Sequence, residues 1–171
     1  MKPNPQTPDP KQSLRQEALK RRDAIPLPVR KLKSAAIAGL LLGLEEFASA
    51  SSMLLFASFR SEADTEAIIR AAFDAGKTVL MPRTDPQSRT IAVYAIRSMD
   101  ELLEGYMGIP EPPDTDPRDP GEAGLILMPG AAFDMHGGRI GYGMGCYDKL
   151  LDALAVRPVL IAPAFEEQIV D

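Results

Sequence analysis

The sequence predicts an α/β fold in which a mainly parallel sheet is covered by helices on both faces. A short apolar run over residues 52–58 lacks polar alternation, which is typical of a strand buried on both sides. A helical pattern over residues 63–75 follows and ends at Gly76, a residue suited to the C′ position. Residues 78–83 are then predicted to form another strand, and strands that alternate with helices build parallel sheets.

The composition is that of an ordinary globular domain. The chain has 171 residues, 45% apolar and 25% charged, and residues 11–171 are assigned to one domain. Residues 1–10 are rich in proline and predict a flexible arm. The net charge of −5 argues against nucleic-acid binding, and no apolar run approaches the ~20 residues of a membrane span. A single cysteine and an N-terminus without a signal peptide fit a cytoplasmic protein.

The first helix is predicted over residues 10–24, with Asp9 as N-cap and Pro10 at the first helical position. It is strongly basic, and Lys11 and Arg15 share one face because they are four positions apart. A basic helix is most often a solvated face, and the pattern alone favours that interpretation.

A long second helix is predicted after Pro26 and Pro28. Its apolar residues recur at three- and four-residue steps, which predicts that this stripe faces the core. The stripe consists of Val29, Leu32, Ala36, Leu40 and Leu44.

The remaining elements follow from short local patterns. Pro82 is predicted to end the strand over residues 78–83, and Ser98 with Glu101 forms a capping box that opens a short helix. Residues 106–124, rich in proline, aspartate and glycine, predict a long surface loop. Further strands are predicted over residues 91–96, 124–128 and 158–163, and a helix over 147–156.

The segment that carries most functional information is residues 129–148, called here the glycine-rich segment. It joins a strand to a helix and places six glycines around Arg139, which has no acidic neighbour within four positions. Glycines allow a ligand to approach the backbone, and the N–H groups of a loop that opens a helix favour anions. The segment is therefore predicted to hold a nucleotide phosphate, with a ligand-free turn as the open alternative.

Two known phosphate motifs do not fit this segment. The P-loop pattern of glycine, lysine and a hydroxyl residue is absent. Gly141 and Gly143 begin like the dinucleotide fingerprint, but Cys146 stands where its third small residue belongs.

Glu62 lies in a predicted loop at the carboxyl end of a strand, where open α/β sheets place ligands. A simple charge at the start of the next helix is its open alternative.

Several motifs together resemble the 5-formyltetrahydrofolate cyclo-ligase (methenyltetrahydrofolate synthetase) family. The longest covers Pro129–Asp134 and Gly137–Lys149, and three others fall in the same order along the chain: Lys11–Arg15, Glu62–Thr65 and Gly108–Pro112. The resemblance implies a three-layer α/β/α fold, Rossmann-like without the dinucleotide fingerprint. It also implies ATP-dependent cyclisation of 5-formyltetrahydrofolate to 5,10-methenyltetrahydrofolate, with phosphorylation of the formyl oxygen and release of ADP and phosphate.

The resemblance implies site residues as well. Arg139 and Lys11 are the implied catalytic cations, Asp148 the implied Mg²⁺ ligand and Glu62 the implied folate contact. The implied ATP-binding residues are Lys11, Arg15, Arg139, Ile140, Gly141, Tyr142, Gly143, Met144, Gly145, Cys146 and Tyr147. The implied folate-binding residues besides Glu62 are Tyr142, Gly143, Met144, Gly145 and Cys146. ATP and a reduced folate are the expected small-molecule partners, and a monomer is expected.

Two side chains favour plain structural interpretations. His136, the only histidine, precedes two glycines and is predicted to be a turn residue. Cys146 is predicted to be a small buried hydrophobe rather than a nucleophile.

Three departures from the family pattern bear on the expected activity. Cys146 replaces an aromatic residue, Lys149 replaces arginine, and members of the family continue beyond the position of Asp171 with a segment that carries a second metal ligand. Two alternatives therefore stay open: a nucleotide- or folate-binding module without turnover, and a phosphoryl-transfer enzyme with another acceptor.

Overall fold

A computed structural model describes residues 9–170 of the chain. Its helices are α1 (Pro10–Asp23), α2 (Leu27–Leu42), α3 (Glu45–Ser49), α4 (Glu66–Asp74) and α5 (Cys146–Asp152). Short 3₁₀ turns cover Met99–Glu101, Tyr106–Gly108, Pro120–Glu122 and Glu166–Gln168. The arm predicted over residues 1–10 lies outside the described residues except for Asp9 and Pro10. None of the described helices is long and apolar enough to cross a membrane.

The strands form one main sheet and two small hairpins. The strands are β1 (Ser52–Leu54), β2 (Thr78–Asp85), β3 (Thr90–Ile96), β4 (Leu103–Glu104), β5 (Pro110–Glu111), β6 (Pro117–Arg118), β7 (Leu125–Leu127), β8 (Ala132–Phe133), β9 (Arg139–Ile140) and β10 (Val159–Ile161). The main sheet has the order β10-β7-β1-β2-β3-β6. Its first four strands are parallel, β3 pairs antiparallel with β2, and β6 pairs antiparallel with β3.

Helices cover both faces of this sheet, which confirms the predicted α/β class. Successive strand residues point to opposite faces. Met53 and Leu125 therefore pack in one core cluster with residues of α2, α3 and α4. Leu54 and Ile126 pack in a second cluster with Leu150 of α5.

Helix α1 begins and ends close to the predicted positions. Asp9 is the N-cap, its Oδ1 accepts a hydrogen bond of 3.1 Å from the Lys11 backbone N–H, and Pro10 opens the helix. The capping box of Ser98 and Glu101 is also present. Both features depend on residues within a few positions of each other, so the local sequence was sufficient to predict them.

The prediction that the apolar stripe of α2 faces the core is wrong. Leu32 and Leu40 are 74% and 75% exposed, and Val29, Ala36 and Leu44 are exposed as well. The buried face instead carries Ser34, Ala38 and Leu41. Ala38 and Leu41 belong to the core cluster that includes α4, and Ser34 Oγ accepts a hydrogen bond of 3.1 Å from the Asp64 backbone N–H. Packing against α4 therefore selects the face with smaller residues.

Pro82 does not end β2, which continues to Asp85. The parallel pairing with β1 stops at Leu80, so beyond this residue one side of β2 is a sheet edge, where proline costs no ladder hydrogen bond. On that side the Thr84 backbone N–H donates to Glu111 Oε1 at 3.0 Å.

Other predicted boundaries shift by a few residues. β1 is shorter than its prediction, α4 begins at Glu66 and α5 ends at Asp152. The long loop predicted over residues 106–124 contains β5, β6 and two 3₁₀ turns.

Candidate active site

A cleft opens at the carboxyl ends of the parallel strands, where α/β sheets hold ligands. It lies between the segments that follow β1, β7 and β10. Its lining residues are Arg22, Phe56, Glu62, Ala63, Pro129, Gly130, Pro163 and Gln168. The cleft thus joins α1, the loop that carries Glu62 and the start of the glycine-rich segment.

The structure brings Arg15 of α1 to the glycine-rich segment, as the resemblance implies. Its Nε donates a hydrogen bond of 2.7 Å to the Gly141 carbonyl oxygen. Gly143 has φ +106°, and a Cβ added there would lie 3.8 Å from the Arg15 Cζ. Lys11 lies one turn earlier, is exposed, and its ammonium makes no hydrogen bond or ion pair within residues 9–170.

The backbone N–H groups from Gly141 to Tyr147 donate no hydrogen bond within the described part of the chain. The N-cap of α5, Gly145, has φ +71° and gives the helix no side-chain cap. Unpaired N–H groups at the start of a helix attract anions. The glycine-rich segment, predicted to hold a phosphate, therefore carries unpaired amides and has a nearby cation, Arg15.

Arg139 has an acidic partner that local sequence did not show. Its Nη1 donates a hydrogen bond of 3.0 Å to the Pro129 carbonyl oxygen, and its Nη2 lies 2.5 Å from Asp148 Oδ1. The Arg139 side chain is 16% exposed and that of Asp148 is 69% exposed. The two residues are nine positions apart, and the return of the chain into α5 places them together.

Glu62 is held by two donors at the side of the cleft. Its Oε2 accepts a hydrogen bond of 2.8 Å from the Phe59 backbone N–H, and its Oε1 accepts one of 2.5 Å from the Tyr142 hydroxyl. Burial and the negative charge of Glu62 together raise the pKa of Tyr142 well above its ordinary value. The carboxylate implied to bind folate therefore touches the glycine-rich segment directly.

Tyr147 and Cys146 both begin α5. The Tyr147 hydroxyl is buried and has no hydrogen-bond partner among the described residues, and burial raises its pKa. Cys146 is buried, and its burial raises the pKa of the thiol. The predicted burial of Cys146 is confirmed, and a raised pKa disfavours the nucleophilic thiolate.

His136 lies in the tight turn between β8 and β9, as predicted for a turn residue. Its backbone N–H and that of Gly138 each donate a hydrogen bond of 2.7 Å to Asp134 Oδ1. These bonds lower the pKa of the Asp134 carboxyl.

Two buried polar residues of the site were not predicted. Gln168 donates hydrogen bonds to the carbonyl oxygens of Gly130 and Ala131 at 3.0 and 3.2 Å, which fixes the start of the glycine-rich segment. Arg22 donates to the Tyr142 hydroxyl at 2.6 Å. Helical spacing could have indicated Arg22, because it lies two turns after Arg15 on the same face.

The described residues hold no group of three or more histidine, cysteine, aspartate or glutamate side chains placed for a metal ion. Asp148 is an exposed carboxylate beside the unpaired amides. Mg²⁺ is commonly held by one or two carboxylates together with substrate phosphates, and a single carboxylate here fits an ion that arrives with a nucleotide.

The fold and this site define an α/β protein with a glycine-rich loop and an adjacent carboxylate at the carboxyl edge of its sheet. More particularly, this chain belongs to the 5-formyltetrahydrofolate cyclo-ligase family, whose family model matches residues 8–171.

Named relatives cover most of the chain. The mouse 5-formyltetrahydrofolate cyclo-ligase is 30% identical over 93% of this chain and 84% of its own length. The protein of the same name from Mycolicibacterium smegmatis is 29% identical over 96% of this chain and 87% of its own length. The solved structure of Aquifex aeolicus 5,10-methenyltetrahydrofolate synthetase is 27% identical, with a TM-score of 0.81 over 93% of this chain and 79% of that one.

Proposed function

We propose that this protein is a ligase that cyclises 5-formyltetrahydrofolate to 5,10-methenyltetrahydrofolate and uses ATP in the process. Membership of the family and the names of its relatives support the reaction. The observation that carries the proposal for this chain is the contact between Glu62 and Tyr142, since it joins a carboxylate suited to a pterin with a segment suited to phosphate.

The chemistry explains why ATP is needed. The formyl group on N5 is amide-like, and its oxygen would leave as hydroxide, a poor leaving group, if N10 attacked the formyl carbon directly. Transfer of the γ-phosphoryl group of ATP to the formyl oxygen releases ADP and makes that oxygen part of a phosphate. N10 then attacks the formyl carbon, the C–N bond forms, the C–O bond breaks, and phosphate leaves. Loss of the N10 proton completes the methenyl bridge.

The cations would act on the phosphoryl group. Phosphoryl transfer depends mostly on positioning and on stabilisation of charge. Arg139 would meet the charge that develops on the transferred group, while Lys11 and Arg15 would hold the remaining phosphates. The exposed Lys11 ammonium and the contact of Arg15 with Gly141 support these roles.

Backbone groups of the glycine-rich segment would complete the two substrate sites. The N–H groups from Ile140 to Tyr147 would surround the ATP phosphates. This role is supported by the N–H groups from Gly141 to Tyr147, which donate no hydrogen bond within the described part of the chain. Residues 142–146 would also contact the folate, whose pterin N–H donors would bind Glu62 in the bidentate manner of guanidinium groups.

Asp148 would hold Mg²⁺ bound to ATP, and the ion would neutralise phosphate charge there. We expect Asp148→Asn to raise the Mg²⁺ concentration for half-maximal activity by about tenfold or more, since one of few ligands is lost. Its melting temperature should change little, because the Asp148 side chain is 69% exposed and an asparagine oxygen can still accept the hydrogen bond from Arg139. Titration of activity with Mg²⁺ at saturating ATP measures the effect.

Asp152→Asn is the matched control, because Asp152 is exposed near the end of the same helix. If excess Mg²⁺ fails to restore the Asp148→Asn enzyme, Asp148 serves to hold Arg139 and is not the metal ligand. We also expect Mg²⁺ to bind weakly until a non-hydrolysable ATP analogue is present. Tight binding of Mg²⁺ without nucleotide would contradict this site.

The proposal includes a monomer that acts in the cytoplasm. One buried cysteine fits a compartment in which disulfides are not formed. Light scattering coupled to size-exclusion chromatography would measure the mass in solution, and a stable dimer would contradict the monomer.

Absorbance of methenyltetrahydrofolate formed from 5-formyltetrahydrofolate, with and without MgATP, tests the reaction itself. Product that requires MgATP is the expected result. Tight ATP binding without product would identify a binding module, and ATP hydrolysis that responds to a different acceptor would identify another phosphoryl-transfer enzyme.

A further inference from the structure

A buried arginine that is absent from the ligand groups described above lies beside Glu62. Arg22 is 5% exposed and lines the same cleft. Its Nε donates a hydrogen bond of 3.0 Å to Ser61 Oγ, and its Nη1 donates one of 2.6 Å to the Tyr142 hydroxyl. Its ion pair with Asp23 is long, with 3.7 Å between Nε and Oδ1. A buried charge is costly unless hydrogen-bonded, and here two hydroxyl groups supply the close partners.

Arg22 fixes the direction in which the Tyr142 hydroxyl donates. A guanidinium group has no acceptor, so the hydroxyl oxygen must accept from Arg22 Nη1. The single hydroxyl proton is then left for Glu62 Oε1. The other carboxylate oxygen accepts from the Phe59 backbone N–H. Each oxygen has a second lone pair, so the oriented carboxylate can still accept hydrogen bonds from a ligand.

Arg22 also fixes the direction in which the hydroxyl of Ser61, the residue before Glu62, donates. Ser61 Oγ accepts from Arg22 Nε and donates to Asp23 Oδ1. Arg22 therefore contacts the Glu62 segment on one side and Tyr142 on the other. Tyr142 stands between Gly141 and Gly143, whose backbone freedom leaves the tyrosine weakly positioned without such an anchor.

We infer that Arg22 is a positioning residue of the folate site, which orients the Glu62 carboxylate toward the cleft through the Tyr142 hydroxyl. The inference rests on the proposed function, because it takes Glu62 as the group that binds the pterin. Arg22 itself need not touch either substrate.

Steady-state kinetics of Arg22→Met, Tyr142→Phe and the double variant test this inference. Phenylalanine keeps the ring and its cation–π contact with Arg22, at 5.8 Å from Cζ to the ring centroid, and removes only the hydroxyl. We expect each single variant to raise KM for 5-formyltetrahydrofolate about tenfold, the effect of one lost hydrogen bond to a charged group. KM for ATP should stay unchanged. The double variant should have the same raised KM for 5-formyltetrahydrofolate as either single variant, because both changes interrupt the same chain of hydrogen bonds from Arg22 through the Tyr142 hydroxyl to Glu62.

Arg21→Met is the matched control, since Arg21 is exposed at the preceding position of α1 and, among residues 9–170, donates only to the Ile169 carbonyl oxygen. Its KM values should equal those of the wild type. Additive effects in the double variant, or an equal rise in KM for ATP, would mean that Arg22 supports the fold rather than the folate site.

Tyr142→Phe keeps the test decisive if Arg22→Met does not fold, because an unchanged KM for folate in that variant overturns the inference alone. A wild-type protein that forms no methenyl product overturns the proposed function instead, so the two failures are distinguishable.

Discussion

Replacement of Arg139 by alanine is expected to lower kcat by on the order of 10²–10³, the usual effect of removing a preorganised group that stabilises charge in the transition state. ATP binding should weaken much less, because Arg15, Lys11 and the amides of the glycine-rich segment remain to hold the nucleotide. The side chain is largely buried and is fixed by the Pro129 carbonyl oxygen and Asp148. Such fixation is the preorganisation on which a large kcat effect depends.

The measurement compares kcat with the dissociation constant for a non-hydrolysable ATP analogue. Arg97→Ala is a suitable control, because Arg97 is an exposed arginine outside the residues that line the cleft. Asp148→Asn in parallel separates two roles: if it lowers kcat as much as Arg139→Ala does, the ion pair itself is what matters. A normal kcat in Arg139→Ala would show that Arg139 only supports the loop.

Features that depend on neighbouring residues could be predicted from sequence. The Asp9 cap with Pro10 and the capping box of Ser98 and Glu101 are examples, since each is settled within four positions. The strand–helix alternation also predicted the sheet and its covered faces. The family resemblance implied that Arg15 and the glycine-rich segment bind the same ATP molecule, and in the structure Arg15 contacts Gly141.

Features that depend on distant packing could not be predicted in this way. Helix α2 has aliphatic residues around much of its circumference, so periodicity alone did not determine which face packs on α4. Pro82 is tolerated because β1 is too short to pair with it, which is a property of another strand. The ion pair of Arg139 with Asp148 and the burial of Arg22 likewise require the path of the whole chain.

Glu62→Gln is expected to weaken folate binding by about 1.5–3 kcal/mol, roughly ten- to a hundredfold in Kd, and to leave ATP affinity nearly unchanged. Glutamine offers one acceptor oxygen where Glu62 uses two, one for the Phe59 backbone N–H and one for the Tyr142 hydroxyl. An amide NH₂ group facing Tyr142 would oppose the hydroxyl proton that Arg22 directs there. The substitution thus removes the charge and disturbs the orientation of the side chain.

Calorimetric titration of 5-formyltetrahydrofolate and of an ATP analogue, each alone, measures the two affinities. Glu66→Gln is the matched control, since Glu66 lies in the first turn of α4 and forms an exposed ion pair with Arg70. Acidic residues in a first turn interact with the helix dipole, so a dipole effect should appear in the control and in the melting temperature. Equal losses for both ligands in Glu62→Gln would assign Glu62 to the stability of its loop. A loss confined to the folate, with an unchanged melting temperature, would assign it to the pterin.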